Sequence, residues 1–170
     1  CPPSRRGFRV QMIALTIVHL LPELLGIFGD RGNVVVLSWR LRERSIHHEV
    51  LLIGVGEKIP TSADFYLLGG GEDDAQIAAL EILNKDGAMR KVLNNGGHIF
   101  AVCAGFQLLG TRFPASGGRI ITGLELVAIE TQSASERSVG EVLSAPTIPI
   151  AKLTGFENHA GQTGFLEDLQ

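Results

Sequence analysis

The chain has little cysteine, little charge and few aromatics, and each shortage narrows what it is built to do. Two cysteines in 170 residues, Cys1 and Cys103, exclude a disulfide framework and make a reducing, cytoplasmic setting the default. Charged residues make up 19% of the sequence and the net charge is −3, without a block of Lys and Arg, so neither nucleic acid nor an acidic membrane surface is an expected partner. Apolar runs are too short for a membrane span: Met12 to Leu25 is interrupted by His19, Pro22 and Glu23, and Val50 to Val55 is only a strand's length. What is abundant is small and apolar. Hydrophobics reach 45% and there are 21 glycines, a balance that suits a sheet buried on both faces and joined by tight turns. A chain of this length fits one domain, burying roughly 70% of the surface its unfolded form exposes.

The apolar segments alternate in period. Val10 to Val18 reads as a first strand, Asn33 to Arg44 as a helix with Asn33 as its N-cap, and Glu49 to Val55 as a second strand. Asp64 to Leu68 is a third strand running into Gly69-Gly70-Gly71, and Asp73 to Asn95 reads as helical with a break near Asp86-Gly87. His98 to Val102 is a fourth strand, with Phe106 to Leu109 in the helix after it. This order predicts an α/β fold, a three-layer, flavodoxin-like, doubly wound and mostly parallel sheet, whose ligands sit outside the carboxyl ends of the strands. Beyond Phe113 the segments Leu124 to Thr131, Val139 to Leu143 and Lys152 to Glu157 read as added strands.

Two loops at strand ends carry chemistry. In the run Ile99 to Gly110, a strand breaks at Cys103 into a turn flanked two positions either side by Ala101 and Gly105, then resumes as a helix. A nucleophile at such an elbow needs small neighbours because its own dihedrals are strained. The helix start behind it favours the thiolate, and the Ala104 N–H is left to point at an oxyanion. The competing reading is a buried, inert cysteine, against which the small flanking residues argue. In the second loop, Gly69 to Gly71, the glycines let the backbone approach a ligand, so an N–H of Gly70 or Gly71 is a second candidate oxyanion donor. A phosphate cradle is disfavoured there, since Glu72, Asp73 and Asp74 follow where a Lys-Ser or Lys-Thr would be needed. Cys1 is a weaker nucleophile or lipid-anchor candidate, because Pro2 to Arg6 reads as the loose lead-in of a processed or truncated sequence.

Leu67 to Asp73 taken with Val102 to Gly110 resembles the class I glutamine amidotransferases of the cobyric acid synthase-like branch. Three further segments, Phe28 to Asn33, Arg137 to Glu141 and Gly155 to His159, make the chain most similar within that branch to the amidotransferase subunits of lipid II isoglutaminyl synthases. The resemblance implies one glutamine amidotransferase domain over residues 1–170, truncated at its C-terminus. It also implies that Cys103 attacks glutamine, that Gly70, Gly71 and Ala104 form the oxyanion hole, that Gln107 lines the glutamine site, and that Arg137 holds the substrate. A planar guanidinium suits the α-carboxylate of glutamine. The family's histidine base lies downstream of residue 170, which leaves His159 as a candidate beside a role in shaping its own loop.

The expected activity is hydrolysis of glutamine to glutamate and ammonia through a Cys103 thioester. The ammonia goes to a Mur-ligase-like partner that amidates the D-glutamate of lipid II to D-isoglutamine in peptidoglycan synthesis. No cofactor or metal is expected on this chain, with ATP and Mg on the partner. The alternatives are amidation of a corrinoid precursor, a cysteine hydrolase of the same architecture, and a non-catalytic binding module. The hydrolases tend to place a histidine where Ala104 stands.

Overall fold

The structure, a computed structural model, describes residues 14–27 and 29–166, and divides into two compact units, residues 1–105 and 106–170. Cys1, Phe28 and the first four residues of the expected first strand lie outside the described residues.

The first unit is a parallel sheet in the order β2-β1-β3-β4, formed by β1 (Ala14–Leu20), β2 (His47–Ile53), β3 (Phe65–Leu68) and β4 (His98–Ala101). In register, Ile17 lies beside Val50 and Phe65, and Leu67 beside His19 and Phe100. The β-branched, apolar composition of β1 places it in the interior of the sheet, buried on both faces from Ile17 onward. Helix α1 (Arg31–Glu43) covers one face through Val34, Leu37 and Leu41, which pack with Ile17, Val50, Phe65 and Leu67. The helical stretch after the glycine loop breaks as expected, into α2 (Asp73–Asn84), a 3-10 turn at Lys85–Gly87 and α3 (Ala88–Asn94). Gly97 runs close against Val92 of α3 and the ring of Tyr66, which places α3 on the face opposite Phe65 and Leu67. The unit is therefore helix, sheet, helix, the doubly wound arrangement the alternation predicts.

Several boundaries differ from expectation for local reasons. Asp30, not Asn33, is the N-cap position of α1, and it makes no side-chain cap because its carboxylate is used elsewhere. Strand β3 starts one residue late, at Phe65: the Asp64 carboxylate accepts the Thr16 N–H at 2.8 Å, while its own N–H donates to the Thr16 carbonyl at 3.1 Å. The fourth helix, α4 (Ala104–Leu109), begins directly after Cys103.

The second unit is a mixed sheet in the order β6-β5-β7-β8, with β5 (Arg112–Ala115), β6 (Arg119–Thr122), β7 (Ile129–Ser144) and β8 (Leu153–Phe165). The strand expected from Leu124 starts only at Ile129. The N–H groups of Leu124 to Val127 go instead to carbonyls of Leu108, Leu109 and Gly110, so this stretch is tied to the end of α4 as a loop. The expected strands at Val139 to Leu143 and Lys152 to Glu157 are parts of a long antiparallel hairpin, β7–β8. The β5–β6 hairpin was not expected from the sequence.

Candidate active site

Cys103 has φ of 53°, a left-handed conformation that side chains bearing a β-carbon avoid, between the last ladder hydrogen bond of β4 and the first turn of α4. The turn is held from both sides. The Val102 N–H donates to the Leu68 carbonyl at 3.0 Å, and the Gly105 N–H reaches the carbonyls of Gly69 and Val102, each at 3.0 Å. A β-carbon at Gly105 would sit 2.8 Å from the carbonyl oxygens of both Leu68 and Gly69, so only glycine lets α4 start against the end of β3. Gln76, buried on α2, donates from Nε2 to the Ala104 carbonyl at 3.3 Å and fixes the same turn from the other side. The strain at Cys103 is thus maintained by its neighbours, and the result is an exposed thiol over a buried Ala104. The Ala104 N–H, first in α4, has no intrahelical acceptor.

The Gly69–Gly71 loop is shaped by packing as much as by any ligand. A β-carbon on Gly69 would run into the Leu25 carbonyl and the Asp30 side chain, and one on Gly71 would lie 2.6 Å from the Leu24 carbonyl. The loop that follows β1 is folded onto these glycines. Asp30, buried at its end, accepts the Gly70 N–H with Oδ2 at 3.0 Å. Of the two glycine donors expected for an oxyanion, Gly70 is engaged by a carboxylate, and Gly71 is the one whose N–H is not given to Asp30. In the sequence Asp30 stands out only as part of the Phe28 to Asn33 segment, since its partner lies 40 residues away.

His19, on β1, is buried with neither ring nitrogen hydrogen-bonded among the described residues. Burial holds it below the ordinary histidine value, with the charge of Arg31 acting the same way and those of Asp30 and Glu23 opposing.

The remaining expected residues belong to the second unit. Gln107, on α4, is half-buried, and a β-carbon on Gly161 would lie 3.3 Å from its Nε2. Arg137 lies on β7, where Nε donates to Oδ1 of Asn158 at 2.7 Å and Nη2 to the Asn158 carbonyl at 3.4 Å. His159, beside Ser138 in the ladder, places Nδ1 2.7 Å from the Gly161 carbonyl and Nε2 3.0 Å from Oε2 of Glu157. Each ring nitrogen of His159 therefore faces an oxygen within its own hairpin. The structure thus brings Cys103, Ala104 and the glycine loop together in one unit, and Arg137, Asn158 and His159 in the other. No cluster of three or more His, Cys, Asp or Glu suited to a metal ion occurs among the described residues. Nor is any described helix long and apolar enough to cross a membrane.

Residues 16–170 match the CobB/CobQ-like glutamine amidotransferase domain. The chain is 30% identical over 154 residues to the GatD subunit of the glutamine-hydrolysing lipid II isoglutaminyl synthase of Staphylococcus aureus, covering 89% of this chain and 63% of that protein. It is 31% identical over 159 residues to the GatD subunit of Streptococcus pneumoniae, covering 92% and 61%. Against the cobyric acid synthase of Brucella abortus it is 33% identical over 123 residues, covering 68% of this chain but 25% of that protein. The chain therefore spans less than two thirds of the length of these curated relatives. Matched over residues 16–170, a stretch that includes the Cys103 elbow and the glycine loop, the chain belongs to the CobB/CobQ-like glutamine amidotransferase family.

Proposed function

We propose that the chain is the glutaminase half of an enzyme that amidates the D-glutamate of lipid II, with Cys103 as nucleophile. The observation that carries this is the Cys103 elbow, exposed at φ 53° and locked by Gly105. The thiolate adds to the carboxamide carbon of glutamine, and the oxyanion that forms is met by the N–H groups of Ala104 and Gly71. Gly70 supports this hole indirectly, through its bond to Asp30. A proton passes to the amide nitrogen and ammonia leaves, giving a thioester that water hydrolyses to glutamate and free thiol. We assign His159 to shaping β8, and the proton transfers fall to a general base of the kind that the family resemblance implies, a histidine. Gln107 and Arg137 hold the substrate, the latter by its carboxylate.

Free ammonia is useful only if an acceptor carboxylate is activated beside it. The activating step is proposed for a Mur-ligase-like partner that carries ATP and Mg and works with this chain in the cytoplasm, yielding D-isoglutamine in peptidoglycan. The relatives named as GatD subunits, matched over 89% and 92% of this chain, support that acceptor over the corrinoid alternative suggested by the shorter cobyric acid synthase match. The test is glutamate release from glutamine by the full-length protein with its partner, with lipid II and a corrinoid acid compared as acceptors. Cys103→Ala is expected to lower glutaminase turnover by about 10³-fold or more. Turnover that survives the substitution would remove Cys103 from its role.

A further inference from the structure

Arg137 sits where the β7–β8 ladder loses its register. Ser133 pairs with Gly161 and Ser138 with His159, so Ala134 to Arg137 lie opposite the single residue Ala160. Such a bulge re-aims the side chains at its end, and it leaves their direction to be fixed by something other than the ladder. For Arg137 that something is Asn158. The side edge of the guanidinium, Nε with one Nη2 proton, faces Asn158, with Nε to Oδ1 at 2.7 Å and Nη2 to the backbone carbonyl at 3.4 Å. The donor Nε–H can be met only by the amide oxygen, which fixes the orientation of the Asn158 amide as well. Arg137 forms no ion pair among the described residues, so its charge is not neutralised. What is left is the end edge, Nη1 with the second Nη2 proton, the fork that matches two carboxylate oxygens.

We propose that Asn158 is a positioning residue for substrate: it occupies the side edge of Arg137 and thereby presents the end edge to the α-carboxylate of glutamine. This deepens the proposed function and rests on it. The neutrality of Asn158 matters, because a carboxylate there would satisfy the same N–H but cancel the charge that recruits the ligand. An exposed arginine not held in this way would spread over many rotamers and lose the order that two-point binding needs.

The test compares L-glutamine with L-glutaminol, which keeps the carboxamide and the amine but lacks the carboxylate, as protectants of Cys103 against a glutamine-mimicking diazoketone in the full-length protein. Asn158→Ala is expected to raise the glutamine concentration giving half-protection by about ten-fold and to leave that for glutaminol within about two-fold. Asn158→Asp, which restores the acceptor, is expected to regain ordered binding only in part, because of its charge. In turnover, Asn158→Ala raises KM with kcat little changed. An equal loss for both protectants, or no loss for either, would overturn the role of Asn158. A wild-type protein that glutamine does not protect would instead overturn the underlying glutaminase reading.

Discussion

At the scale of single residues, the site depends on a few backbone positions that tolerate no alternative. Cys103 and Gly105 were legible in the sequence because small residues around a cysteine, between an apolar strand and a helix, have few other uses. Asp30 and Asn158 were not legible, since their roles rest on partners 40 and 21 residues away that only the fold brings near. His19, one residue past the expected end of the first strand, was not legible as a buried, unpartnered member of it. It carries a pH dependence whose sign is fixed by its environment. Below the ordinary histidine value of 6.5 the unfolded chain binds a proton that the folded chain resists, because burial opposes the charge. Stability contributed by this residue is therefore full above that value and is lost progressively as pH falls from it through the lower value of the folded chain. Denaturant midpoints at pH 7.5 and 5.5 should show the wild type weaker at the lower pH, and His19→Leu should shrink that difference. An unchanged difference in the variant would mean that other groups set the acid response.

Among the elements, the loop from β1 to α1 and the loop from β3 to α2 behave as one piece, joined by the Asp30 to Gly70 hydrogen bond. Removing that carboxylate leaves a buried N–H without an acceptor, a loss of about 1.5–3 kcal/mol for a bond to a charged group. Asp30→Ala should lower stability by that order and abolish the slow hydrogen exchange of the Gly70 amide, with Asp30→Asn intermediate. Protection of Gly70 that persists in the alanine variant would show that packing alone holds the loop. The elements of the first unit were read nearly whole, since buried parallel strands are continuous apolar runs ended by glycine. Those of the second were read in fragments. β7 and β8 are largely exposed on both faces beyond their first turns of ladder, so they lack the alternation that betrays a half-buried strand. The stretch after α4 failed differently: Leu124 to Val127 is apolar like a strand, but its N–H groups are spent on the carbonyls of α4.

For the whole molecule, composition pointed to the architecture: many glycines and few charges suit a sheet buried on both faces and joined by tight turns. The first unit holds the strained Cys103 elbow and the glycine loop, and the second holds Arg137 on the β7–β8 hairpin. The match to the glutamine amidotransferase family runs over residues 16–170 and so includes residues of both units. The central claim is that Cys103 is a glutamine-directed nucleophile, and the most direct measurement is peptide mass spectrometry of the full-length protein after exposure to 6-diazo-5-oxo-L-norleucine. The account predicts an adduct on Cys103 that excess glutamine suppresses and that Cys103→Ala lacks. A folded protein that forms no adduct, or one that glutamine does not suppress, would contradict it.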